Sequence, residues 1–220
     1  EGWVSTGAAQ ASDIAEQALF ITATGGTITT CGDYKIHSFT GPGTFCISCI
    51  GNQPANQKVD YVVVAGGGGG GKDWAGGAGA GGYRESKCAT TSGAWTASPL
   101  ASATSLPVSV TAYPIAVGSG GATCVNGSDS IFSTITSAGG GLGGQGGGGG
   151  SPYAAGTGGS GGGAGSQAPS SGSAGNTPPV SPPQGNPGGS RGPSNTSGGG
   201  GGAGQAGQNA PGPYGCAAKG

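Results

Sequence analysis

The chain has 220 residues, 57 of them glycine, with only 7% charged residues and a formal net charge of −1. Its Lys and Arg are scattered with no basic block, which argues against nucleic-acid binding by phosphate neutralisation, and no run approaches the roughly 18 apolar residues of a membrane span. The glycine share is several times the usual level of about 7%, yet glycine does not recur at every third position, so collagen is excluded.

The chain contains no methionine and starts at Glu1. It therefore reads as a processed product or a piece of something longer, with any signal segment already removed. Six cysteines in so polar a chain lean towards an oxidising, extracellular setting.

In chain order, residues 1–22 form an N-terminal arm. Ser12 to Ile21 reads as a short helix capped by Ser12, with Ile14, Ala18 and Ile21 on one face. An extended reading stands beside it, because Ala18-Leu19-Phe20-Ile21 followed by Thr22-Ala-Thr24 suits a strand. Such a strand pairs readily with a neighbouring chain's open edge, so Ala18, Leu19, Phe20 and Ile21 are the candidate assembly arm.

Short strands then follow at Thr27–Cys31, Tyr34–Phe39, Thr44–Ile50 and Val59–Ala65, parted by Gly/Pro turns. After a first glycine run, Gly82–Ser86 returns as a strand. A loop from Cys88 to Ser105 leads to a long strand, Leu106–Val117, which Pro107 and Pro114 push to an edge or a bulge. The last strand is Ile131–Thr136. This spacing predicts an all-β protein, a jelly-roll-like β-sandwich over 23–138.

Three of these strands run straight into glycine. Val59-Asp-Tyr-Val-Val-Val-Ala65 meets six glycines from Gly66, Tyr113–Val117 meets Gly118-Ser-Gly-Gly121, and Ile131–Thr136 meets the tract from Gly139 to Gly150. Residues 139–220 hold almost no aliphatic side chains. By composition that region is a flexible linker. The competing reading is polyproline II, with three residues per turn and about 3.1 Å rise, in which neighbouring strands bond through bare glycine backbone.

The order of several phrases resembles the glycine-rich domain of tail-fibre-like bacteriophage proteins. These are Gly32-Asp-Tyr-Lys-Ile-His-Ser-Phe-Thr-Gly-Pro-Gly-Thr-Phe45, the Val59 strand with its glycines, Ala80-Gly-Gly-Tyr-Arg84, Tyr113-Pro-Ile-Ala-Val-Gly118, Ser130–Gly139 and Pro178-Pro-Val-Ser-Pro-Pro-Gln-Gly185. The resemblance runs from about Ala23 to Gly204. It implies a non-enzymatic fibre component or adhesin, extracellular or on a virion surface. It also implies glycine-rich polyproline II helices stacked into a slab that presents loops to a receptor or glycan. No binding residue carries over by motif. The cysteines depart from the resemblance, which leads one to expect Ser or Thr there.

The chemistry-bearing residues point away from catalysis. Cys46-Ile-Ser-Cys49 has redox spacing, but its flanks are β-branched and aromatic where a helix N-terminus is required. With Cys31 and His37 it makes a set of zinc-ligand types whose spacing fits no standard finger. A structural disulfide from Cys31 to Cys46 or Cys49 is the favoured reading, and Cys88 with Cys124 is a second candidate pair. Cys216 is the sixth cysteine, and sequence does not choose among the fifteen connectivities. Gly66 to Lys72 approaches a phosphate loop, but Asp73 stands where a hydroxyl is needed and no helix follows. One histidine and eight scattered acids leave little material for a nucleophilic or paired-carboxylate site, and no cofactor is called for.

The candidate recognition residues are Lys72, Asp73 and Trp74, where the chain turns back between glycine runs, with Tyr83, Arg84 and Trp95. Their aromatic rings suit sugar faces or, alternatively, cap the slab or the core. Asn126 and Asn195 sit in glycosylation patterns. The expected function is a structural fibre protein with an adhesive role. The alternative is the subunit of a homopolymeric filament joined by the N-terminal arm.

Overall fold

The computed structural model describes residues 19–88, 92–147, 153–193 and 195–211. The fold is all-β. Its first strand, β1 (Thr22–Thr24), lies antiparallel to β4 (Gly43–Cys49), with Ala23 opposite Ile47. Between them, β2 (Thr27–Cys31) and β3 (Tyr34–Ser38) form a hairpin closed at Gly32 and Asp33. Gly32 has φ 55, a value that glycine adopts without strain.

The expected Val59–Ala65 strand is divided. Lys58–Val59 (β5) pairs with Leu106–Pro107 (β9), whereas Val62–Val64 (β6) pairs with Tyr83–Ser86 (β7). β7 also carries a short parallel partner, β8 (Ala101–Ser102), within the loop that follows it.

Two further expectations need correction. The long strand placed at Leu106–Val117 breaks after Pro107, and its second part, β10 (Ala112–Ala116), is interior, between β4 and β11 (Ser130–Phe132). Pro114 is tolerated because β11 pairs only with Ile115 and Ala116, leaving no ladder bond on that side at the proline. The single strand expected at Ile131–Thr136 is instead a hairpin of β11 and β12 (Ile135–Ser137). Ser133, at φ 52, makes the turn.

The five-stranded sheet runs β1-β4-β10-β11-β12. Ala23, Phe45, Ile47 and Val108 are buried on it, with Ile21, Phe39, Leu106, Tyr113, Ile115 and Phe132 packed around them. Phe132 meets Phe45 and Tyr113 edge-on, with ring centroids 5.8 and 6.0 Å apart. This apolar core is small and confined to the sheet end of the molecule.

The glycine-rich interior is held largely by backbone bonds, with small and polar side chains such as Ser160, Ala164 and Gln184 buried among them. Gly140 and Gly143 donate to Gly66 and Gly69 carbonyls at 2.9 and 3.0 Å, and Gly141 and Gly144 donate to Ser160 and Gly163, both at 2.9 Å. Gly76, Gly79 and Gly82 donate to Gly144, Gly141 and Ala138, at 2.8, 2.8 and 2.7 Å. The same three-residue step joins 161 and 164 to 186 and 189, and 198 and 201 to 164 and 161.

A step of three places successive bonds to one neighbour on one face of a polyproline II helix, leaving the other faces for other neighbours. Parallel and antiparallel neighbours both occur, and the bonds extend in two directions as a lattice. The glycine segments are thus ordered by the hydrogen bonds that a flexible linker would give to water.

Glycine is required here by proximity rather than by φ. The described glycines with positive φ are Gly25, Gly26, Gly32 and Gly93, none of them in the lattice. A Cβ on Gly68 or Gly141 would stand under 3.0 Å from the carbonyls of Gly141 and Gly156 respectively. Only a missing side chain lets these backbones approach to bonding distance.

Candidate functional site: the distal end of the lattice

The lattice is rooted in the sheet. β6 continues into 66–71, β10 into 118–121 and β12 into 139–147, while 75–82 leads back into β7. Bonds across these joins are continuous with those of the lattice. Ala65 donates to Gly82 at 3.0 Å, and the hydroxyls of Ser130 and Ser137 donate to Val64 and Val63 carbonyls, both at 2.8 Å.

The Pro-rich segment is clamped to the same root. Gln184 is fully buried, donates to Pro178 at 2.9 Å, and accepts from the Ala138 N–H at 2.8 Å.

Because 66–71 leads away from the sheet and 75–82 returns antiparallel, Lys72, Asp73 and Trp74 form the turn at the far end. All three are exposed. Asp73 and Trp74 have φ 49 and 44, an uncommon conformation for non-glycine residues.

Neighbouring lattice segments hold that turn. Gly146 N–H donates to Asp73 at 2.9 Å, while Ser166 N–H and Ser197 Oγ donate to the Trp74 carbonyl at 3.1 and 2.7 Å. Arg191 Nη1 donates to Ser166 at 2.9 Å, and Cys124 N–H to Gly70 at 2.9 Å. The Trp74 backbone is therefore fixed, while its side chain is 61% exposed. An exposed aromatic ring on a hydrogen-bonded turn suits contact with a flat apolar or sugar surface.

The other recognition candidates are elsewhere. Tyr83 and Arg84 lie on β7 at the sheet end, about 25 Å from Trp74 if the eight residues 75–82 rise about 3.1 Å each. Tyr83 Oη donates to the Glu85 carboxylate at 2.9 Å, and Arg84 Nη1 donates to Thr136 at 3.4 Å. Trp95 is half-buried beneath Lys87, whose Nζ stands 5.0 Å from the ring centroid.

Glu85 is 5% exposed and also accepts from the Ser98 N–H and hydroxyl. Burial pushes its pKa up, but the bonds from Ser98 and Tyr83 outweigh that and hold it below the ordinary glutamate value. Burial raises the pKa of Tyr83, and the bond and charge of Glu85 add to the rise. Burial also raises that of Tyr61, against the opposing charge of Arg84. Beside this cluster, Tyr83, Ser98, Pro99, Leu100, Ala203 and Gly204 line a shallow apolar cleft of about 300 Å³.

Cys31, Cys46 and Cys49 are exposed and carry free thiols, and the half-buried Cys124 thiol lies 3.8 Å from Gln145 Oε1. Cys88 is half-buried, with its N–H bonded to Ser92 Oγ at 2.8 Å. Cys46 and Cys49 share one extended strand. Three residues at about 3.3 Å put them roughly 10 Å apart, beyond the ~7 Å Cα limit for a disulfide. Among the described residues no three His, Cys, Asp or Glu come together to hold a metal.

Asn126 has its side-chain amide engaged by Leu142 N–H at 2.8 Å and Thr157 O at 3.4 Å; Asn195 is exposed at φ 63. Leu19 and Phe20 are exposed and Ile21 is half-buried, whereas Ala18 and Cys216 lie outside the described residues. Sequence reasoning missed Gln184, Ser197, Arg191 and Glu85. Their roles are fixed by partners 13 to 123 positions away, and no local pattern announces them.

Fold and lattice define a class: an all-β protein whose sheets carry a hydrogen-bonded glycine lattice. The chain belongs to the glycine-rich domain family, whose profile matches residues 39–220. Searches of curated proteins and of solved structures found no match. Among the described residues no helix is long and apolar enough to cross a membrane.

Proposed function

We propose that the chain is a non-enzymatic structural fibre protein, extracellular or on a virion surface, with an adhesive role like that of phage tail fibres. The observation that supports this is the distal turn. Asp73 and Trp74 are held at positive φ by backbone bonds, and the Trp74 ring stands in solvent. A lattice held by backbone bonds spans distance without a large apolar core, and its turns display side chains at low ordering cost. The partner chemistry that fits is a cell-surface glycan or receptor.

The test is adhesion of purified protein to candidate host cells or glycan arrays. The W74A and K72A variants should lose binding at unchanged melting temperature. Undiminished binding by both would overturn the adhesive role of this turn.

A second reading, a homopolymeric filament joined through the N-terminal arm, is favoured by Leu19 and Phe20. They are 53% and 69% exposed just ahead of β1, an apolar pair left uncovered among the described residues. Electron microscopy of the full chain, compared with a chain lacking residues 1–22, tests it. Filaments should form only with the arm present.

A further inference from the structure

β1 belongs to the core but joins its own chain as a short edge strand. Its Ala23 is 5% exposed against Ile47, and Ile21 packs on the same cluster. The strand has three residues and lies at the edge of the five-stranded sheet, and among the described residues its pairing is Thr22, Ala23 and Thr24 against Cys49, Ile47 and Cys46. On its C-terminal side stand Gly25 and Gly26, at φ 107 and 64.

Both hinge glycines are demanded by the closed conformation. A Cβ on Gly25 would stand under 3.0 Å from the Thr44 carbonyl, and one on Gly26 2.6 Å from that of Ser38. Beyond the hinge, the hairpin β2–β3 lies wholly exposed except at His37, whose Nδ1 donates to the Gly25 carbonyl at 2.8 Å. Before β1, the Leu19 N–H is held by Asn52 at 2.9 Å and its carbonyl by Asn56 at 3.2 Å, while the Leu19 and Phe20 side chains face solvent.

We propose that β1 is an exchangeable strand: with the hinge at Gly25–Gly26 extended, residues 19–24 of one copy occupy the β4 edge of a second copy. The occupant fits because it is chemically the same segment. Every β1–β4 bond and the Ala23–Ile47 contact re-form in the acceptor, and among the described residues the exchange gives up the left-handed hinge values and the His37–Gly25 bond. Leu19 and Phe20 are then carried to the junction between two copies, where their exposed faces become contact area. The acceptor's own β1 passes to a third copy, so the contact is head-to-tail and propagates. This rests on the filament reading of the arm.

The sheet register supplies the test. Thr24 lies directly opposite Cys46, and all four residues of the pairs Thr24–Cys46 and Thr22–Cys49 are exposed. Directly opposite residues on antiparallel strands are about 4.5–5.5 Å apart, within disulfide reach.

In T24C, assembled as full-length protein and oxidised with copper phenanthroline, the linked 24–46 peptide is expected by mass spectrometry in bands of two or more chain masses on a non-reducing gel. Those bands should collapse on reduction, and wild type should lack that linked peptide. T22C provides the same readout at Cys49 should T24C fold poorly. A 24–46 or 22–49 link confined to the single-chain band would overturn the exchange. Electron microscopy of the same samples separates the two ideas, since filaments with only intrachain links keep the filament and sink the exchange. No filaments with only intrachain links would sink both.

Discussion

The side chain of Gln184 accepts the backbone N–H of Ala138 at 2.8 Å across 46 positions of sequence, at the point where β12 passes into the lattice. The same amide donates to Pro178 at 2.9 Å, and the Gln184 carbonyl accepts the Tyr83 N–H at 2.8 Å. One buried residue thus locks the Pro-rich turn and the third handover through its side chain and the β7 root through its backbone carbonyl.

Q184A should therefore unfold the root first. It leaves the Ala138 N–H and the Pro178 carbonyl without partners, at about 1–3 kcal/mol for each buried group. Thermal or chemical denaturation should show a loss of several degrees. Q184E should fail to rescue it, because a carboxylate cannot donate to Pro178.

Lattice glycines should divide sharply by what a Cβ would meet. G141A puts a methyl against the Gly156 carbonyl and should cost at least the roughly 1–3 kcal/mol of an overpacked core. G70A meets nothing within 4 Å and should be neutral or gain up to about 1 kcal/mol by restricting the unfolded chain. Equal effects in denaturation midpoints would count against the lattice.

Amide exchange should carry the three-residue period. Gly66, Gly68 and Gly69 donate to Ser128, Gly79 and Val125 at 3.0, 2.9 and 2.8 Å, whereas the Gly67 and Gly70 amides have no acceptor among the described residues. Exchange measured by nuclear magnetic resonance should find the first three protected and the other two fast. A uniformly unprotected run would contradict the structure.

The Glu85 clamp should depend on pH in one direction. Its folded pKa is depressed, so its stabilising contribution is fully present above the unfolded value of about 4.3 and is lost as pH falls through the lower folded value. E85Q should melt below wild type at pH 7. Below about pH 4 the gap should narrow as the wild-type carboxylate protonates.

Much of the architecture was legible in the residues. The three handovers at Ala65–Gly66, Val117–Gly118 and Ala138–Gly139 were visible because β-branched runs and glycine runs differ so strongly in local signal. The turn at Lys72–Trp74 could be read for the same reason, as the polar interruption between two glycine runs. The break inside Ile131–Thr136 was not legible, because Ser133 and Thr134 suit a strand as well as a turn. Nor was the interior place of Pro114, which depends on where β11 begins to pair.

The sequence by itself determined the all-β class, the strand-to-glycine joins and the poverty of catalytic residues, since each follows from composition and near-neighbour pattern. Tertiary structure decided which glycine segment bonds to which and which way each runs. It also separated Trp74 from Tyr83 and Trp95, and made Gln184 and Glu85 into clamps. The physical reason is that glycines are chemically identical to one another, so a lattice built from them has no side-chain code for pairing. Its register is set by the sheet strands that enter it and by the few polar side chains that reach across it.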